Sequence, residues 1–157
     1  MVRNATFVEQ NLANTQIGKK AEHGFDLSLK EVKVMLGSGV VHKNKTDTPE
    51  YVLITPNEEG YYELPMGIYS ITFNEGGRVP ENHCGWIKSR SSMIRNGVIV
   101  ESGLYDTGFE CQTFGAVMFV HNSVKIEQNA RVAQFLLFES EEAEAYDGQY
   151  LGSKDRK

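Results

Sequence analysis

The chain has 157 residues, 40% of them hydrophobic and 24% charged, the balance of one ordinary globular domain with a sizeable core. Its formal net charge of −5 comes without a basic stripe, which excludes duplex or single-stranded nucleic acid as a partner, because phosphate-backbone binding needs a clustered positive surface. Cys84 and Cys111 belong to no C-x-x-C or C-x-x-H arrangement, so neither a disulfide framework nor a three-ligand zinc site is expected, and both read as buried thiols.

No apolar run approaches the roughly 20 residues of a membrane span. The opening MVRNATFVEQ lacks a signal-peptide core, so a cytoplasmic protein without a membrane partner is expected. Taken in chain order, the stretch from Gly37 to Gly60 is polar and reads as a hairpin or long loop. Breaks fall at Pro49, Pro56, Pro65, the Gly76-Gly77 pair and Pro80, between short β-branched or alternating runs. Gly67–Phe73 is the first of these runs and reads as a strand. Trp86 is expected in the core. Ser91–Asn96 suits about one helical turn ended by Gly97 as C-cap. Strands follow at Val98–Val100, Ala116–Val120 and Val132–Phe138, with His121 read as a turn residue at a strand end. Glu139–Tyr146 is a short surface helix or a loop, and Ser153–Lys157 a mobile tail. Helical signal is scarce, no internal repeat or linker is visible, and residues 1–157 read as one all-β domain, a barrel or jelly roll.

Three segments carry chemistry. Ile87-Lys88-Ser89-Arg90-Ser91-Ser92-Met93-Ile94-Arg95-Asn96-Gly97 sets two arginines and two hydroxyls at a helix entry. That is either a phosphate cradle or a Ser N-cap on a surface helix with solvated arginines. In Gly103-Leu104-Tyr105-Asp106-Thr107-Gly108-Phe109 a lone carboxylate is framed by glycines and aromatics. It either activates water, with Phe109 as an apolar platform, or bonds its own turn. In Ala130-Arg131-Val132-Ala133-Gln134-Phe135, Arg131 and Gln134 interrupt an apolar strand. They are either paired within the structure or aimed at a ligand, and pairing is favoured.

In this order and near this spacing, the three segments resemble the dUTPase and dCTP deaminase superfamily. Gly24-Phe25-Asp26-Leu27-Ser28-Leu29, Leu64-Pro65-Met66-Gly67-Ile68-Tyr69, Val79-Pro80 and Tyr146-Asp147-Gly148-Gln149-Tyr150 extend the likeness over residues 21–152. The resemblance implies a distorted jelly-roll (β-clip) subunit in a homotrimer, with active sites at subunit interfaces. It further implies that Arg90, Ser91, Ser92 and Arg95 form the phosphate-binding turn and that Gln134 lies in the same region. Asp106 would position the attacking water, and Phe109 would lie under the deoxyribose. Tyr146 and Gln149 are assigned to closure over the triphosphate, with Mg²⁺ held mainly by the substrate phosphates rather than by protein ligands.

Within that superfamily, deamination requires a glutamate seven positions after the aromatic of the Gly-Phe turn. Here that position is Ala116, and Glu110 falls too early. The expected activity is therefore hydrolysis of dUTP to dUMP and pyrophosphate. The alternatives are dCTP deamination, alone or coupled to hydrolysis, and a nucleotide-binding trimer without turnover. The chain departs from the pattern in three places. The hairpin Val98–Leu104, which would read the base, is about two residues short, Cys111 replaces a glycine, and the tail carries Gln149 where the deaminase branch has lysine.

Overall fold

The computed structural model describes residues 1–152; the proposed mobile tail Ser153–Lys157 lies outside them. Its elements in order are α1 (Ala5–Gln10), β1 (Leu12–Ala13), β2 (Lys19–Lys20), β3 (Phe25–Leu36), β4 (Val40–Val41), β5 (Thr46–Asp47), β6 (Glu50–Ile54), β7 (Tyr61–Phe73) and β8 (Gly76–Arg78), then β9 (His83–Ser89), α2 (Ser91–Arg95), β10 (Val98–Glu101), β11 (Glu110–Cys111), β12 (Gly115–Glu127) and β13 (Arg131–Glu139). The main sheet runs β13-β9-β10-β12-β7-β3-β2, with β6 also on β3. Because β13 pairs with β9 along one side and β3 along the other, the sheet closes on itself, which removes most free edges. A smaller sheet, β1-β8-β11, caps one side.

Period-two alternation decides which side chains fill the interior. On β12, Ala116, Met118 and Val120 are buried while Phe119 faces out. The core centres on Phe114 stacked on Phe135 at 4.5 Å, with Tyr105 edge-on to both. Two buried charged groups interrupt this apolar filling, Asp26 and Glu75.

Several expectations change. Pro65 breaks nothing: it lies inside β7, where the β12 register shifts between Val120 and Ser123. A proline is tolerated at such an irregularity because no ladder donor is required there. His121 sits in that same irregularity within a strand, its N–H bonded to the Gly97 carbonyl at 2.9 Å. Gly76-Gly77 forms a short strand instead of a break. Trp86 is not a core residue. Gly85 and Ile87 take the inward positions, leaving Trp86 39% exposed, with its indole N–H on Glu101 at 3.1 Å and the Lys88 ammonium over its ring. Cys84 is only half-buried, whereas Cys111 is buried. The polar stretch after β3 forms the β4–β5 hairpin and then β6, which pairs with β3 from Val32–Ile54 to Leu36–Glu50. Residues 140–146 carry no helix.

One helix escaped the sequence reading. α1 is capped by Asn4, whose Oδ1 accepts from the Phe7 N–H at 3.0 Å. The short helix α2 lies where expected and ends at Asn96 before Gly97, whose φ of +72° favours glycine. Its N-cap is Arg90, without a side-chain capping bond, so neither Ser91 nor Ser92 serves as the cap. Among the described residues, no helix is long and apolar enough to cross a membrane.

Candidate active site

Asp26 is the first centre. Its side chain is 6% exposed and draws in three groups from distant strands. Arg90 Nε lies 3.1 Å and Arg131 Nη1 3.2 Å from Oδ2, and Gln134 Nε2 donates to Oδ1 at 3.1 Å. Arg90 Nη1 also donates to the Arg131 carbonyl at 3.0 Å. The polar pair in the β13 sequence is thus paired inside the molecule, the structural option left open by the sequence. Asp26 itself was the missed member. A lone carboxylate in the apolar run of β3 demands a buried cation, and that was the available signal.

Asp106 is the second centre, and its mount is rigid. Tyr105 exchanges both backbone hydrogen bonds with Gly85 at 2.8 Å, and its hydroxyl donates to the Gly115 carbonyl at 2.8 Å. The Phe109 N–H closes a turn onto the Asp106 carbonyl at 3.1 Å, helped by Gly108 at φ +79°. The Asp106 carboxylate stays exposed on this frame. It stands at a cavity of about 400 Å³ whose apolar wall is Tyr105, Phe109 and Phe114. Tyr146 stacks edge-on against Phe109 at 5.3 Å, and its N–H bonds the Thr107 carbonyl at 2.8 Å. Tyr150, Thr48 and Tyr51 also line it. Tyr150 ends the Tyr146–Tyr150 motif, whereas no local pattern marks Thr48 or Tyr51. Gln149 is exposed and not among the cavity's lining residues.

Cys111 also faces this cavity, but burial pushes its thiol up to about 12, so it offers no thiolate at neutral pH. Among the described residues, no lysine or arginine lines the cavity. The space suits an uncharged moiety with one carboxylate at its side.

The turn expected to bind phosphate lies elsewhere. Ser91, Ser92 and Arg95 are exposed on α2, and Ser92 borders a separate depression of about 200 Å³ with Arg131 and Lys125. Tyr105 is bridged to Gly85, and Arg90 follows Gly85 by five positions along β9, roughly 16 Å at 3.3 Å per residue. Within one chain, therefore, Asp106, Phe109 and Tyr146 come together, while Arg90, Ser91, Ser92, Arg95 and Gln134 do not join them.

Ala116 is fully buried in the core opposite Ile71, so no acid stands at that position. Among the described residues, no group of three or more His, Cys, Asp or Glu side chains could cage a metal ion. A lone exposed carboxylate beside the cavity fits Mg²⁺ only as an ion carried by substrate phosphates, the way this cation is ordinarily held.

Known proteins match this architecture. The family profile described as dCTP deaminase-like covers residues 2–140. A probable deoxyuridine 5'-triphosphate nucleotidohydrolase of Methanosarcina mazei is 33% identical over 82% of this chain and 78% of its own. The deoxyuridine 5'-triphosphate nucleotidohydrolase of Methanocaldococcus jannaschii is 30% identical over 90% of this chain and 91% of its own. Among solved structures, the 2'-deoxycytidine 5'-triphosphate deaminase of Agrobacterium tumefaciens superposes with a TM-score of 0.65 at 11% identity, over 87% of this chain and 46% of that one. Native EIAV dUTPase gives 0.55 at 18% identity over 88% and 97%. Those two likenesses concern the fold alone; the family profile and the sequence matches show that the chain belongs to the dCTP deaminase-like family.

Proposed function

We propose that this chain is a dUTP diphosphatase, cleaving dUTP to dUMP and pyrophosphate. The observation that carries the reading is the exposed Asp106 carboxylate, rigidly mounted beside an aromatic cavity, in a chain whose deaminase-type acid position is the buried Ala116. The relatives named for dUTP hydrolysis support it.

In this reading the deoxynucleoside occupies the cavity against Phe109, which puts the α-phosphate near Asp106. The carboxylate orients a water molecule and takes its proton as the water oxygen bonds to the α-phosphorus. The bond from that phosphorus to the oxygen bridging the β-phosphate breaks, and pyrophosphate leaves. Mg²⁺ carried on the phosphates supplies charge neutralisation for the leaving group.

The triphosphate also needs cations, and among the described residues no lysine or arginine lines the Asp106 cavity. In the same chain Arg90 stands roughly 16 Å along the β9 direction from that turn, with its guanidinium held on Asp26. A second copy offering its Arg90–Arg95 turn meets that need, which supports a homotrimer with the sites between subunits and with Ser91, Ser92, Arg95 and Gln134 on the phosphate side. Tyr146 already sits against Phe109 and closes the cavity, with Gln149 beyond it.

The test is to incubate the protein with dUTP and with dCTP, each with Mg²⁺, and separate the products. The expected result is dUMP and pyrophosphate from dUTP with dCTP unchanged. Uracil nucleotides from dCTP would favour deamination, and intact dUTP would refute hydrolysis.

A further inference from the structure

The resemblance makes Val98–Leu104 the base-reading segment, about two residues short, and the structure gives it as strand β10 (Val98–Glu101) followed by Ser102–Leu104 without a strand, which leaves room for base recognition by another wall of the cavity. Part of the wall is already committed, while the Thr113 hydroxyl, which also lines it, is buried without a hydrogen-bond partner among the described residues. The Tyr105 hydroxyl is bonded to the Gly115 carbonyl. Phe109 and Phe114 have no polar side-chain atoms, and the Cys111 thiol is buried. The Tyr146 hydroxyl accepts from the Tyr150 N–H at 3.4 Å.

Thr48 and Tyr51 line the same cavity as Gly103–Asp106. Tyr51 is half-buried, and among the described residues its hydroxyl has no hydrogen-bond partner. Its position is fixed. Tyr51 lies on β6, opposite Met35 in a five-pair ladder with β3, the strand whose other end carries Asp26. Thr48 follows Asp47, which is tied to His42 at 2.8 Å and to Lys45 at 3.6 Å across the β4–β5 hairpin. A hydroxyl without an internal partner, on a residue that a strand ladder holds at a cavity lined by no lysine or arginine among the described residues, is suited to a neutral ligand edge.

We propose that the Tyr51 hydroxyl, with Thr48 beside it, hydrogen-bonds the polar edge of the pyrimidine and makes β6 a specificity wall of the site. This rests on the nucleotide reading of the Asp106 cavity and adds a residue that determines which base is accepted. A site built to bond a polar edge discriminates strongly against a ligand or a variant that lacks the partner atom.

The test uses the full chain with Tyr51→Phe, which keeps the ring and removes only the hydroxyl, and with Thr48→Val at an exposed position. Affinities for dUMP and dCMP are measured by calorimetry, and KM and kcat are measured on dUTP. Tyr51→Phe is expected to weaken dUMP binding and raise the KM for dUTP by about three- to tenfold, the scale of one neutral hydrogen bond. Its kcat should stay within about twofold, and its preference for dUMP over dCMP should narrow. Thr48→Val is expected to act in the same direction and more weakly. Tyr51→Phe with wild-type dUMP affinity, or a wild type that binds no dUMP, overturns the proposal. A wild type that binds dUMP but leaves dUTP intact refutes the hydrolase reading alone, and the dUMP affinity of Tyr51→Phe then still decides the role of Tyr51.

Discussion

Replacing Asp26 by asparagine tests the central polar knot. Asn keeps an acceptor at Oδ1 for Gln134 but turns an N–H₂ toward Arg90 Nε and Arg131 Nη1, which now lie 3.1 and 3.2 Å from Oδ2. Two guanidinium groups lose their shared counter-charge at a site where the carboxylate is 6% exposed. Breaking a fully buried pair by removing one partner costs about 3–5 kcal/mol. Here the arginine side chains are 27% and 36% exposed, so water recovers part of that loss and the expected cost is about 2–3 kcal/mol. For a chain of this size that corresponds to a fall in Tm of roughly 5–10 °C. Urea unfolding followed by circular dichroism measures it. The m-value should stay constant, and a shift below about 0.5 kcal/mol would refute the claim that Asp26 organises β3, β9 and β13.

Other positions give independent outcomes. Tyr105→Phe removes the bond to the Gly115 carbonyl and should cost about 1 kcal/mol in thermal unfolding. Because that bond steadies the Asp106 turn, its kcat on dUTP should fall more than its KM changes; an equal change in both would contradict the positioning role. Burial pushes the Glu75 carboxyl above its ordinary value of 4.5, against hydrogen bonds from the Ser28 hydroxyl and N–H that favour the charged form. A raised carboxyl binds its proton more tightly in the folded chain. Its contribution is therefore fully present below 4.5 and is lost as pH rises through the folded value. Urea midpoints between about pH 4 and 7 should accordingly fall with pH more steeply in the wild type than in Glu75→Gln, and parallel curves would contradict this.

Much of the architecture was legible because it is written in local chemistry. β-branched runs at strand period, the Gly97 cap and the framed Asp106 each specify their surroundings within a few residues. The parts that were not legible depend on pairings across the chain. Nothing near Arg131 says that its partner is Asp26, 105 positions away. Tyr51 reaches the cavity only because β6 pairs with β3. Trp86 looked like a core residue by type, but the inward turn of Gly85 and Ile87 put it outside. Pro65 looked like a break, and only the register shift opposite it makes a strand possible there. The separation of Asp106 from Arg90 is likewise a property of the β9 register, invisible in two motifs only 16 residues apart.

Turnover of Asp106→Asn at saturating dUTP bears most directly on the mechanism. Asn retains the size and exposure of the side chain but cannot take a proton from water, so kcat should drop by about 100-fold or more while dUMP affinity is kept. A variant that releases pyrophosphate at the wild-type rate would show that the carboxylate at the aromatic cavity is not what activates water.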